Sequence, residues 1–206
     1  MSADAPGSPA PLSRRPTREE LARYQGATVE DLLCDPLRLL FVGINPGLWT
    51  AAVNAHFARP GNRFWPALHE AGITARPIDA STGLDTAARA ELARAGIGIT
   101  NLVPVATARA DELSAAQLRA GGERLRALVR DRRPEVVAVL GITAFRQAFG
   151  VRGVALGRQD EDFEGAGLWV LGNPSGLNAH ETVASLAAAY RAAAMAAGVP
   201  VAPLAH

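Results

Sequence analysis

Leu37-Arg38-Leu39-Leu40-Phe41-Val42 runs directly into Gly43-Ile44-Asn45-Pro46-Gly47. A short apolar run closed by Gly, Asn and Pro is the pattern of a buried strand that delivers the chain into a loop. On its N-terminal side, Pro36 stops a short helix predicted to begin at Thr28-Val29-Glu30-Asp31, and Thr17-Arg18-Glu19-Glu20 is a capping box for an earlier one. On its C-terminal side no element is evident between Ile44 and Gly61, a loop long enough to mark function. Asn62 can cap a helix over residues 63–71. There follow a helix over 85–95, a strand over 97–103, a loop over 104–113 and a long helix from the Ser114/Gln117 capping box to Arg133. A strand over 135–140, a helix over 143–149, a strand over 168–171 and an Ala-rich helix over 181–197 complete the pattern.

Strands alternating with helices predict an α/β fold, a single-domain three-layer α/β/α sandwich with a mostly parallel central sheet. Active sites in such sheets lie at the carboxyl ends of the strands, so the loops after Gly43, Val103 and Leu171 are expected to converge. The domain is read as residues 17–198, between a Pro/Ala/Ser-rich tail over 1–16, expected to be disordered, and a short tail over 199–206.

Composition removes several classes of chemistry. All 21 basic residues are arginine. Apart from the N-terminal amine, no amine is present to form a Schiff base, and no lysine can serve a phosphate-binding loop. One cysteine, Cys34, excludes an internal disulfide and an iron–sulfur cluster, and the four histidines are scattered, so neither a metal nor a cofactor is expected. No apolar run approaches the roughly 18 residues of a membrane span, and the N-terminus lacks a signal-peptide core; a cytoplasmic protein is expected. Nothing demands a dimer, and a monomer is expected.

Two segments carry a resemblance. Gly43-Ile44-Asn45-Pro46-Gly47, with His56-Phe57, Pro60-Gly61-Asn62 and Phe64-Trp65 after it, resembles the first motif of the mismatch-specific uracil-DNA and thymine-DNA glycosylases, within the uracil-DNA glycosylase superfamily. Asn173-Pro174-Ser175-Gly176-Leu177 resembles the second, and Thr100-Asn101-Leu102-Val103 fits between them. The resemblance spans about Leu37 to Arg191 and implies a uracil-DNA glycosylase-like fold acting on double-stranded DNA with mismatched uracil or a related damaged pyrimidine.

Breaking the bond between deoxyribose and base puts positive charge on the sugar and negative charge on the leaving pyrimidine. An enzyme assists by positioning water, stabilising the base and holding the extruded nucleotide. The resemblance implies that Asn45 orients the water; alone, it would read as a turn residue. An amide cannot take up the water's proton, so a slow enzyme dependent on a good leaving group is expected. Phe57 matches the aromatic residue that stacks on the base, with core packing as the alternative. Ile44 is implied through its backbone. Thr50 lines the base pocket in this family and would crowd a 5-methyl group, which favours uracil; His56 matches a thymine-processing branch and pulls the other way. Asn101 is a further pocket residue.

Gly176-Leu177-Asn178 matches the wedge that fills the gap left in the duplex. Asn173 belongs to the same motif, and Ser175 is placed to bind phosphate at the start of the following helix. The chain departs from some family members at Ala179, where they carry arginine. Asp111 has two readings: a carboxylate that assists water activation or pairs with Arg109, or a polar residue before the Ser114 cap. An esterase reading of Ser175 with His180 fails the G-x-S-x-G spacing by one residue. A nucleotide-binding module lacks both common phosphate cradles. A weak mismatch-binding protein uses the same residues as a glycosylase and stays open, as does a thymine-preferring enzyme.

Overall fold

A computed structural model describes residues 9–203. Five strands form one sheet in the order β2-β1-β3-β5-β4: β1 (Leu39–Gly43), β2 (Ile97–Asn101), β3 (Val136–Leu140), β4 (Gly157–Arg158) and β5 (Gly167–Leu171). All pairings are parallel except β4 with β5. Side chains alternate across the sheet, and both faces are covered. Leu39, Phe41, Ile97, Ile99 and Ala138 pack under α3 (Phe64–Glu70), α4 (Thr86–Ala95) and α7 (Val183–Ala196). Leu40, Val42, Val137, Val139 and Val170 pack under α5 (Ala115–Arg132) and α6 (Ile142–Phe149). The three-layer sandwich expected from the alternation is the fold observed.

The predicted caps at Thr17 and Ser114 are both formed, opening α1 (Arg18–Ala22) and α5. The paired glycines inside α5 have a steric cause. A Cβ on Gly121 would sit within 2.8 Å of the Leu102 carbonyl carbon, and one on Gly122 within 3.1 Å of the Ala148 oxygen. Helix α5 is therefore seated directly on the chain leaving β2 and on α6, at a helix-propensity cost of about 1 kcal/mol per glycine.

Three expectations about elements are corrected. Residues 28–31 form no helix: Leu32 exchanges backbone hydrogen bonds with Ile99 (2.9 and 2.7 Å), and Thr28 bridges to Val105. Covering the open edge of β2 outweighs a local capping pattern. The stretch from Ile44 to Gly61 contains α2 (Leu48–Val53), whose N-cap Gly47 makes no side-chain bond and so leaves no capping signature. The second strand ends at Asn101 rather than Val103, since Leu102 and Val103 turn their N–H groups to Gly43 and Ile44 carbonyls.

Residues 1–8 and 204–206 of the two expected tails lie outside the described residues. Residues 9–16, expected to be disordered, lie against the body: Leu12 N donates to Ala52 O at 2.7 Å, and Tyr24 Oη donates to Ala10 O at 2.7 Å. Among the described residues no helix is long and apolar enough to cross a membrane.

Candidate active site

From β1 the chain crosses to β2 on one side, then returns through α5 to β3 on the other. The chain thus departs in opposite directions from β1 and β3, which opens a crevice at their carboxyl ends. A cleft of about 610 Å³ lies there. Its walls come from all three loops singled out by the sequence, including Ile44, Asn45, Thr50 and Phe57 after β1. Asn101 ends β2 and the 107–111 segment follows it, and Asn173, Ser175 and Leu177 follow β5.

Asn45 is held by its amide nitrogen. Nδ2 donates to the carbonyls of Pro46 and Val105 (both 3.1 Å) and to Thr107 Oγ1 at 2.7 Å. The Thr107 hydroxyl spends its own proton on Arg109 O (2.7 Å), so toward Asn45 it can only accept. Three acceptors around Nδ2 fix which way the amide faces, and Oδ1 receives no hydrogen bond from any described residue. The loops that carry the pair are joined by Thr107 N donating to Pro46 O at 3.2 Å.

A second amide is fixed by a histidine. His56 Nε2 lies 3.0 Å from Glu30 O, a partner that can only accept, so Nε2 carries the proton. Burial pushes the imidazole's pKa down, so the ring is neutral and Nδ1 accepts from Asn101 Nδ2 at 3.2 Å. Asn101 therefore keeps Oδ1, an acceptor, for whatever enters the cleft. Gly43 makes room for this arrangement: a Cβ there would come within 3.1 Å of the Phe57 ring and also meet Asn101 Oδ1.

Phe57 stacks on Phe64 with centroids 4.1 Å apart and ring planes at 25°. Its backbone is left-handed (φ 55°), a conformation that costs a non-glycine residue of order 1–3 kcal/mol and is often stored at functional sites. Trp65 holds the segment, its Nε1 donating to His56 O at 2.9 Å. On the opposite wall, Asn173 Oδ1 accepts from Ser175 N, Ser175 Oγ from Leu177 N, and Asn178 Nδ2 donates to Asn173 O. These bonds shape a tight loop from whose tip Leu177 projects, 81% exposed.

The uracil DNA glycosylase superfamily model matches residues 30–195, the stretch that contains every group just described. The chain belongs to that superfamily. A solution NMR structure of a Methanosarcina acetivorans protein, provisionally assigned as a uracil DNA glycosylase, is similar to it with a TM-score of 0.53. That likeness covers 82% of this chain and 97% of the other at 15% identity, and at that identity it speaks for the fold alone.

Within this superfamily member the sequence-derived candidates fall into distinct places. Asn45, Ile44, Thr50, Phe57, Asn101, Asp111, Asn173, Ser175 and Leu177 line the cleft. The Ile44 carbonyl is already taken by Val103 N at 2.9 Å. Gly176 and Asn178 belong to the loop but not to the cleft wall. His56 is corrected: it is 3% exposed and lies behind Asn101, away from the cleft surface, because its ring is spent on Glu30 and Asn101. Asp111 sits on the rim, 63% exposed, in a short 3₁₀ helix (Ala110–Glu112). Of its readings, the pairing with Arg109 is what the structure contains (2.6 and 3.0 Å). Those hydrogen bonds hold its carboxyl below the usual range and weaken it as a proton acceptor. Sequence reasoning missed Thr107; its only signal was membership of the loop after β2.

The buried neutral His56 has a consequence for stability. Because its folded-state pKa is lowered, the unfolded chain binds the proton better. Stability is undiminished above roughly pH 6.5 and falls as pH drops from there toward the lower folded-state value. In thermal unfolding between pH 7.5 and 5, His56→Gln is expected to lose part of the decline seen in the wild type. Identical pH slopes for the two proteins would contradict a buried neutral imidazole.

Proposed function

We propose that the protein is a monofunctional DNA glycosylase that hydrolyses the N-glycosidic bond of mismatched uracil in double-stranded DNA. The observation that carries this reading is the Asn45 amide, on a residue that lines the cleft, clamped through its nitrogen with its oxygen left unbonded among the described residues, in a member of the uracil DNA glycosylase superfamily. An amide oxygen in that position accepts a hydrogen bond from water and turns a lone pair of the water toward C1′ of an extruded nucleotide. The water oxygen bonds to C1′, the C1′–N1 bond breaks, and the base leaves with the electron pair. The water's surplus proton passes to solvent, because neither an amide nor the Arg109-bound Asp111 is a good acceptor.

Recognition follows from the other fixed groups. The Phe57 face supplies a stacking platform, sequence-tolerant and worth roughly 1–3 kcal/mol in comparable sites. Asn101 Oδ1 accepts from the N3–H of uracil, whereas cytosine presents a bare N3 lone pair there and is refused. Thr50, buried on α2 at the cleft wall, crowds a 5-methyl group and disfavours thymine. Leu177 enters the duplex as the base leaves it. With no lysine in the chain, no side-chain amine attacks the abasic sugar, and the strand stays intact. No cofactor takes part.

Single-turnover base release tests the selectivity. G·U duplexes are expected to react fastest, with A·U, G·T and single-stranded uracil behind. Thr50→Ala is expected to raise the G·T rate relative to G·U by roughly tenfold, the scale of one methyl group's fit in a pocket. Equal G·U and G·T rates in the wild type would contradict the reading of both Asn45 and Thr50.

A further inference from the structure

Arg63 is out of place by the rules of its own helix. It occupies the N-cap of α3, where Ser, Asp or Asn is preferred and a cation opposes the helix dipole. It makes no capping bond; Asn62 Oδ1 instead accepts from Phe64 N at 2.9 Å. Among the described residues no carboxylate pairs with it. Its guanidinium goes elsewhere, to three carbonyls of the loop after β5: Nη1 donates to Ser175 O (3.0 Å) and Asn178 O (2.9 Å), and Nη2 to Gly176 O (3.4 Å). Its backbone N–H donates to a fourth, Pro174 O, at 2.9 Å. Next to it, Gly61 touches the same loop so closely that a Cβ on Gly176 would lie 2.5 Å from Gly61 O.

The loop's own hydrogen bonds, among Asn173, Ser175, Leu177 and Asn178, define its shape but do not tie it to the rest of the protein. Arg63 does. We propose that Arg63 is the positioning residue of the Leu177 wedge, clasping the carbonyls of 174–178 to the segment that carries Phe57. The inference rests on the wedge reading of Leu177 given above. Two physical effects support it. Fixing the loop before DNA arrives removes an ordering cost from the insertion step. Turning carbonyl oxygens inward onto a cation leaves Leu177 at the tip, with fewer acceptor oxygens facing the phosphates and an unneutralised positive charge beneath it. The clasp also links the two walls of the cleft, so that the wedge and the stacking platform hold one spacing.

The test is a double-mutant cycle with Arg63→Met and Leu177→Ala. Two quantities are read on a G·U duplex: the single-turnover release rate, and the fluorescence of 2-aminopurine beside the uracil, which rises when the base is extruded. Arg63→Met is expected to lower rate and extruded fraction roughly tenfold, the scale of losing charge-assisted hydrogen bonds. Leu177→Ala is expected to do the same, and the double variant to be no worse than Leu177→Ala alone. Gly176→Ala, which pushes the loop off Gly61 from the other side, is expected to reproduce the defect and serves if Arg63→Met does not fold. An unchanged Arg63→Met or Gly176→Ala, or a loss that multiplies in full onto that of Leu177→Ala, would overturn the clasp and leave the wedge standing. No effect of Leu177→Ala would remove the wedge reading itself, and the clasp with it.

Discussion

Replacing Asn45 with alanine is expected to slow base release from a G·U duplex by about a thousandfold, the upper range for removing one preorganised polar group from a transition state. Binding of the duplex is expected to change little. The split follows from the geometry: Nδ2 is consumed by Pro46, Val105 and Thr107, so the side chain's one unspent atom is Oδ1. A group that acts on the attacking water, rather than on the base or backbone, affects kcat far more than affinity. Thr107→Val is expected to fall between, slower by roughly tenfold, since it removes the shortest of the three anchors and lets the amide rotate. Single-turnover rates with excess enzyme, beside a binding titration, check both variants. A rate for Asn45→Ala within tenfold of wild type would mean that another group orients the water.

Phe57→Leu carries the second large effect, and here the loss is expected in capture of the base. Leucine keeps an apolar side chain on Phe64 but has no flat face, so the comparison separates stacking from packing. The loss of roughly 1–3 kcal/mol of stacking corresponds to about five- to 150-fold in extruded base and in single-turnover rate at low enzyme. Phe57→Tyr is expected to stay near wild type. Should leucine and tyrosine serve equally well, the ring would be a part of the Phe64 cluster and nothing more.

The sequence was most legible where local chemistry and global fold agree. Leu39–Gly43 and Val136–Leu140 read as buried strands because they are apolar throughout, and Thr17 and Ser114 read as caps because their bonds close within four residues. The convergence of loops at one sheet edge followed from the alternation of elements alone. What stayed hidden was set by distant partners. The capping pattern at Thr28 loses to pairing with a strand some seventy residues further on. His56, readable as a loop residue facing substrate, is drawn inward by Glu30 O and Asn101, neither of which its neighbours in sequence reveal. Thr107 and Arg63 are ordinary residues in a loop and at a helix start until the fold brings Asn45 to one and the Ser175–Asn178 carbonyls to the other.

A monofunctional glycosylase hydrolyses one glycosidic bond and leaves the strand whole. The most direct test is an end-labelled G·U duplex incubated with the enzyme, with free base assayed in one portion and strand length in another, before and after alkali. Free uracil is expected in step with strand breaks that appear only after alkali. Breaks without alkali, or no uracil released from a duplex the folded protein still binds, would contradict the monofunctional glycosylase reading.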